Sequence, residues 1–439
     1  MVLRGLRSSA ALLLRNERLL AISVATVLVM AGQGVIAPVL PLYAESFGVG
    51  AATIGLTLSF FAIARLVLNV PLGVLSDRRG RRVLLVGGPL VTAVGMIGSG
   101  LASSIVVLLA WRLVAGAGSA MYMTGAQVYL ADISTPANRA KLIGTNQGAL
   151  LLGTAIGPAI GGYLADAAGL EAPFYVVGAA ALVACAYSWF RLPETRPEPV
   201  EEPAAPDGAP PGRRPWVALV LSKDFLSVAL VTMAIFFTRT GSRMTLMPLL
   251  AVGLLDFSVA SLGLVFTAMA VINMVGLAPA AWMADTLGRK HAIVPSGLAV
   301  GAALVLLSTG DSQLTFLLGA LALAVATSIA GPAPAAYAAD VAPPHLRGLG
   351  MAMYRTAGDI GFVIGPPLLG AIADATTIRV ALVANAGLVV VATAVFALVA
   401  SETLEREALE PETPPATEPV EPPGEATLGE VESRPQPPA

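Results

Sequence analysis

Four stretches of this chain, Leu19–Ala44, Val83–Trp111, Phe257–Ala284 and Ser312–Ala339, run for 26, 29, 28 and 28 residues without a charged side chain. A helix rises about 1.5 Å per residue, so roughly 20 apolar residues cross the ~30 Å of hydrocarbon in a bilayer. A soluble core needs no runs of this length. Comparable apolar stretches recur along most of the sequence, which is 56% hydrophobic against roughly 45–50% in globular domains. The runs are too long and too continuous for strands, and lipid obliges a spanning backbone to satisfy its own hydrogen bonds. The expected fold class is therefore an all-α membrane protein. Its twelve transmembrane spans are read at 19–43, 53–76, 83–103, 106–130, 140–165, 173–190, 225–251, 260–284, 291–309, 313–339, 346–373 and 379–400.

Two segments differ in kind. Residues 192–215 hold eight prolines, and residues 401–439 hold nine prolines and ten acids. Both are too poor in apolar side chains to build a core and are read as flexible. The predicted organisation is an N-terminus (1–18), a six-helix bundle (19–191), a linker (192–222), a second six-helix bundle (223–400) and an acidic, proline-rich tail (401–439). The first apolar run lacks the short core and cleavage site of a signal peptide and is read as an uncleaved span.

The two halves repeat. Asp77-x-x-Gly80-Arg81-Arg82 matches Asp285-x-x-Gly288-Arg289-Lys290; Asp132, Pro136 and Arg139 match Asp340, Pro344 and Arg347; Gly153-x-x-x-Gly157-Pro158 matches Gly361-x-x-x-Gly365-Pro366; Ala165-Asp166 matches Ala373-Asp374. Every pair is offset by 208 residues. Four matches in one register exceed what a Gly- and Ala-rich chain offers by chance. Halves of this kind build secondary transporters, with the binding site between them.

Orientation follows from lysine and arginine. With the N-terminus inside, the cytoplasmic segments carry 20 of the 26 basic residues and the external loops carry one, Arg379. Both termini are expected in the cytoplasm of a cell-membrane protein. The remaining five, Arg65, Arg112, Arg239, Arg243 and Arg355, fall inside spans. Each costs roughly 2.5–3.5 kcal/mol at a helix centre unless water or a partner offsets it. Asp359 is the one acid well inside a predicted span, so a cavity lined by these arginines is net cationic.

The stretch GVLSDRRGRR at 73–82 is the turn between spans 2 and 3. Its arginines are explained by headgroup anchoring and topology alone. Gly73 and Asp77 are not: four apart on one helix face, they offer a bare backbone spot and a carboxylate one turn on. Such a pair can approach a neighbouring helix closely and place its charge at that helix's positive N-terminal end.

These residues resemble the major facilitator superfamily, and the resemblance covers nearly the whole chain. Gly73, Asp77, Arg78, Gly80, Arg81 and Arg82 fit that family's loop signature; the second copy, with Asp285, Gly288, Arg289 and Lys290, is degraded, Ala281 and Thr286 replacing the first glycine and a basic residue. Gly32-x5-Pro38-x-x-Pro41 and Arg112-x-x-Ala115-Gly116-x-Gly118 look like motifs of the twelve-span drug:proton antiporters. Gly144-x8-Gly153-x3-Gly157-Pro158-x2-Gly161-Gly162 matches that branch's glycine motif in full. The resemblance implies two pseudo-symmetric bundles rocking about a central cavity. It implies that Asp77 caps the start of span 11 near Pro344–Arg347, with Asp285 doing the same near Pro136–Arg139, as a cytoplasmic latch of the outward-open state. It assigns Arg112 to proton coupling.

From the residues themselves, Gly153, Gly157 and Gly161 form one stripe, and Pro158 allows a bend. This smooth face is expected to rock against span 8 or simply to pack closely; Gly361, Gly365 and Pro366 repeat it. Arg355 and Asp359, four apart, are expected to pair, as a proton site or as a static ion pair. Gln33, Arg65, Asn69, Arg239 and Arg243 are read either as inter-helix hydrogen bonders or as the wall of a substrate cavity that attracts anions.

The leading function is proton-coupled export of a small amphiphilic molecule by a monomer. The alternatives are a symporter or uniporter for a small metabolite, an anion if the arginines line its cavity, and a transporter-shaped receptor or scaffold. No Ser/His/Asp constellation, metal-ligand cluster or phosphate-cradling Gly-x-x-x-x-Gly-Lys is present to suggest an enzyme, a cofactor, a metal or ATP drive. The lone Cys185 allows no intrachain disulfide, and nothing points to nucleic acid.

Overall fold

The computed structural model describes residues 16–135, 138–195, 215–343 and 346–403. Among them twelve helices are long and apolar enough to cross a membrane: α1 Glu17–Ile36, α2 Ala51–Arg79, α3 Arg81–Gly100, α4 Ile105–Asp132, α5 Arg139–Ala168, α6 Ala172–Arg191, α7 Lys223–Leu255, α8 Val259–Leu287, α9 Arg289–Thr309, α10 Gln313–Val341, α11 Arg347–Ala375 and α12 Ile378–Val399. The protein is an all-α, multi-pass membrane protein built as two six-helix bundles, α1–α6 and α7–α12.

Local chemistry sets the helix ends. Asn16, Ser104, Ser222, Ser258, Ser312 and Thr377 each accept a hydrogen bond at an N-terminus, satisfying a backbone donor that no carbonyl reaches. Gly80 (φ 95°) and Gly288 (φ 111°) let α2 turn directly into α3 and α8 into α9, a conformation that favours glycine. Three helices depart from regularity. At Pro38 the first span breaks, leaving the short helix Leu40–Glu45. Helix α10 is interrupted at Gly331–Pro332. Over Thr238–Leu246 α7 widens into a π-helix, a form usually confined to single turns and frequent at functional sites.

The apolar core is not shared evenly. One buried cluster joins the halves, grouping Leu249 of α7 with Val35, Leu40, Tyr43 and Phe61; the largest fills the second bundle and takes in Ala37 of the first at its edge. Four further clusters stay within one half each. Residues 196–214 of the expected linker, the tail from 404, and Pro136 and Pro344 lie outside the described residues. Leu192–Thr195 and Ser401–Thr403, which flank them and are expected to be flexible, are pinned to the bundles by hydrogen bonds of Glu194, Thr195, Ser401, Glu402 and Thr403.

Candidate functional site

The bundles meet at one end, the end opposite the 73–82 turn. Asp374, at the end of α11, accepts from the backbone N–H groups of Ala51 (2.7 Å) and Ala52 (2.9 Å), the first residues of α2. Asp166, at the end of α5, accepts from Val259 (3.1 Å) and Ala260 (3.0 Å), the first residues of α8. Each carboxylate thus sits on the positive end of a helix in the other bundle. Four residues earlier stands a glycine pressed against that same helix: a Cβ on Gly370 would overlap the Ala51 carbonyl, and one on Gly162 the Val259 carbonyl. The seam continues through Ser59, which donates to the Val363 carbonyl (2.6 Å), and through Gly55 against Pro366. On the other side the Ala159 N–H donates to Thr267 (3.0 Å) and Gly263 abuts the Pro158 carbonyl. The Gly-x-x-x-Asp device expected of Gly73 and Asp77 is therefore built, twice, at the opposite end.

At the arginine-rich end the bundles part. Positions 73, 144, 148 and 348 have open space where a Cβ would stand. Asp77 does not cap span 11 in this state: its side chain is 73% exposed and pairs with Arg81 of its own bundle (3.3 Å). Arg81 also bonds Asp132 (2.7 Å), and Arg289 joins Asp285 to Asp340 in the second half. Glu194 accepts from the Arg81 and Arg82 N–H groups (2.8 and 3.1 Å), and Glu402 from those of Arg289 and Lys290 (2.9 and 3.0 Å). Thr195 and Thr403 donate to Asp132 and Asp340 (2.9 and 3.0 Å). Arg82 lies over Trp189 and donates to its carbonyl, Lys290 donates to the Ala400 carbonyl, and Arg78 is exposed. Every one of these contacts stays within a single half, because with the bundles splayed the opposing helix starts are out of reach.

The glycine stripe also departs from expectation. Gly153, Gly157 and Gly161 face Val27, Ala31, Gly34 and Val35 of α1, not α8, and Gly361 and Gly365 face Met233 and Phe237 of α7. The stripe binds each gate helix to its own bundle. Gly162, about 100° further round the helix, and Pro158 make the seam, as Gly370 and Pro366 do in α11; Gly144 lies at the open end.

The gap between the bundles holds the charges. Ala51 against Gly370, Gly55 against Pro366 and Ser59 against Val363 set an antiparallel register for α2 and α11. The same register brings Arg65 to the level of Asp359 and Arg355. The fields acting on the partly buried Asp359 are those of Arg65 across the interface, the larger, and Arg355 on its own helix. The expected Arg355–Asp359 contact is not closed, since among the described residues the pair makes no ion pair within 4.0 Å; four residues along a helix share a face without having to touch.

Arg239 and Arg243 ride on the π segment. Thr238 and Ser242, also four apart, bond Asn385 of α12 (3.1 and 2.7 Å), and Thr240 bonds the Phe362 carbonyl of α11 (3.3 Å). With those faces occupied, the arginines turn inward: Arg239 lies in the field of Arg65 and Arg243 in that of Arg239, 5.8 Å over the Phe266 ring of α8. Arg112 is enclosed in the first bundle at 3% exposure. It donates to the Thr57 carbonyl (3.3 Å) and lies 4.7 Å over Phe61, with no carboxylate paired to it among the described residues. Gln33 donates to Ser119 of α4 (3.0 Å), and Asn69 is exposed.

Several members escaped the sequence reading. Glu194, Thr195, Glu402 and Thr403 sit at the edges of proline-rich stretches, yet they share the 208-residue offset that would have found them. Asn385 and the Thr26–Tyr122–Asn146 set, which ties α1, α4 and α5, leave no pattern in a single span. The π segment is flagged only by the cluster of Thr, Gly and Ser in TRTGSR.

Two helical bundles with a repeated internal layout, closed at one end and charged within, define the architecture of a secondary transporter. Residues 22–250 and 232–436 match the Major Facilitator Superfamily, and the chain belongs to that family. It is 27% identical over 359 residues, 82% of this chain and 92% of the relative, to an uncharacterised transporter of the same superfamily from Methanocaldococcus jannaschii. It is 26% identical over 350 residues, 78% of this chain and 86% of the relative, to multidrug resistance protein 1 of Bacillus subtilis. Its fold is shared with a bacterial homologue of the human lysosomal transporter Spinster in an inward-facing, occupied conformation, at a TM-score of 0.75 and 17% identity over 87% of this chain and 96% of that one.

Proposed function

We propose that this chain exports a small amphiphilic molecule in exchange for protons, by alternating access between its two bundles. The observation that carries the reading is the asymmetry of closure. Asp166 and Asp374 bridge the bundles at one end, while Asp77 and Asp285 are held within their own halves at the other. A molecule entering the gap from the arginine-rich end reaches Arg65, Arg239 and Asp359 and can go no further until the seam opens. The excess of 20 basic residues to one supports an open end in the cytoplasm with both termini, and loading from inside. The name of the Bacillus relative supports export.

Closing the open end would bring Asp77 to the start of α11 and release the opposite clasps. Asp359, between Arg65 of one bundle and Arg355 of its own, is the carboxylate we assign to exchange a proton as that interface moves; Arg112, which no acid neutralises among the described residues, is assigned to bias it. The test is proton release by the purified chain in proteoliposomes. Substrate-dependent flux that collapses when the pH gradient is dissipated, and that Asp359→Asn uncouples from pH, is expected; flux indifferent to the gradient would sink the exchange. A second reading, symport or uniport of an anionic metabolite, is favoured by one observation, the surplus of guanidinium groups over carboxylates in the gap, and such flux would run without exchange.

A further inference from the structure

The geometry points to an anionic amphiphile as the substrate: an organic molecule whose acidic head, a carboxylate, sulfonate or phosphate, sits among Arg65, Arg239 and Arg243, and whose apolar body lies along α8. This inference rests on the transport reading and adds the chemistry of what is carried.

The head site stands on three observations. The π segment fixes Arg239 and Arg243 on one face by tying its other faces to Asn385 and Phe362. The α2–α11 register sets Arg65 of the other bundle nearer the open end, level with Asp359, and its charge acts on Arg239 from there. None of the three makes an ion pair within 4.0 Å among the described residues, and Asp359 acts on the cluster through Arg65. Guanidinium groups that lie within one another's fields repel, and an anion between them removes the repulsion while forming charge-assisted, often bidentate, hydrogen bonds. A cation would meet like charge. Arg239 is exposed and Arg243 partly so, so the donors are open to a ligand arriving through the gap.

The body site continues the seam. Gly263 and Thr267 on α8 are sealed against α5 at Pro158 and Ala159. One and two turns further along the same stripe, Val271 and Val275 are unsealed, 41% and 64% exposed, because α5 has diverged and leaves Leu152 exposed opposite them. There α8 and α10 enclose a groove of about 540 Å³ lined by Val271, Val275, Trp282, Met283, Val325 and Ile329 among others, within the range of small-molecule sites. It starts five residues, about 7 Å along the helix, from Phe266, over which Arg243 sits. From Val271 to Met283 it runs about 18 Å. The groove lies about 140° round α8 from Phe266 and begins just beyond it toward the open end, so the apolar part that reaches it from the arginines is elongated.

The test uses the full-length chain in nanodiscs of zwitterionic lipid and three fluorescent probes with one body: 11-(dansylamino)undecanoate, its uncharged carboxamide, and the corresponding amine-terminated cation. The carboxylate is expected to bind at least tenfold more tightly than the carboxamide, with the amine weakest. Undecanesulfonate should displace it and undecyltrimethylammonium should not, a comparison that needs no variant. Arg239→Gln with Arg243→Gln should bring the carboxylate down to the carboxamide's affinity and leave the latter unchanged, whereas the paired Lys substitutions should retain the preference. Val275→Trp should weaken carboxylate and carboxamide alike, about tenfold. Amine or carboxamide binding as tight as carboxylate binding, or a preference surviving the Gln pair, would overturn the inference. Flux in proteoliposomes separates the two levels: gradient-driven flux of the amine with none of the carboxylate sinks the anionic class and leaves transport standing. Saturable carboxylate binding with no flux under any gradient does the reverse.

Discussion

The two halves share their mechanical parts and differ in their charged interior. Asp166 and Asp374, Gly162 and Gly370, Glu194 and Glu402, and Thr195 and Thr403 are all copies at an offset of 208; the Asp and Gly pairs make equivalent contacts across the seam, and the Glu and Thr pairs equivalent contacts within their own halves. At the same offset the interior charges have no counterparts: Arg112 corresponds to Ala320, Arg65 to Asn273, Arg239 to Ala31, Arg243 to Val35, Asp359 to Leu151 and Arg355 to Gln147. A rocking motion needs matching bearings on both sides of the axis. A ligand has no such symmetry, and neither do the groups facing it. Even the support is one-sided, since Asn385, which clamps the π segment, corresponds to Val177.

The largest effect expected from breaking the copied set is at the seam glycines. A single Cβ on Gly162 or Gly370 already overlaps backbone of the opposite bundle, and backbone cannot yield as a side-chain tip can. Overpacking of this kind costs about 1–3 kcal/mol. Gly162→Leu and Gly370→Leu should therefore each shift the bundles apart at this end and lower flux tenfold or more, to similar extents. Spin-label distances across the end, measured alongside flux, check it; a loss confined to one half would mean the two bearings are not equivalent.

The one-sided clamp comes next. Asn385 is fully buried, and replacing it by alanine strands the hydroxyl of Ser242, while Thr238 keeps its bond to the Ala234 carbonyl. Unsatisfied buried polar groups cost about 1–3 kcal/mol. Asn385→Ala should lower thermal stability by that order and weaken ligand binding with it, as Arg239 and Arg243 lose their fixed face. Unchanged binding in a destabilised protein would show that the π segment holds its shape through α11 alone.

How far the sequence could be read follows the same division. The twelve spans and the repeat were legible because lipid imposes length and hydrophobicity residue by residue, and a duplicated layout leaves paired motifs. What each face touches was not. Gly153, Gly157 and Gly161 were expected against span 8 and pack on α1, since spacing defines a stripe without naming its neighbour. Asp77 and Asp166 carry the same Gly-x-x-x-Asp pattern, and which of them is engaged depends on the state of the bundles. The π segment was invisible because its arginines, four apart, share a face in an ordinary helix too.

Smaller still are the charges on the clasps. Asp166→Asn and Asp374→Asn keep an acceptor oxygen and remove the charge at a helix N-terminus, worth about 0.3–1 kcal/mol and up to ~2 where partly buried. Each should shift the closed-to-open ratio at this end by roughly two- to thirtyfold, by equal amounts, and the double variant by the product, because the two sites share no partner. Distance distributions that respond to one substitution and ignore the other would break the symmetry at its best-resolved point.

The smallest difference separates the two arginine turns, where the copy has drifted. The Arg81 side chain is 8% exposed and its partner Asp132 14%; for Arg289 and Asp340 the values are 14% and 36%. Water can re-solvate Asp340 when its arginine is removed, so Arg289→Gln should cost no more than about 1 kcal/mol, as exposed pairs do. Asp132 would be left enclosed with Thr195 as its remaining donor, and losing one partner of a buried pair costs more. Arg81→Gln should thus be the more destabilising by about 1 kcal/mol, read as the gap between the two variants' thermal unfolding. Equal losses would mean that Asp340 is as dry as Asp132 in the protein's working state. The second turn, despite Ala281 and Thr286, would then close as tightly as the first.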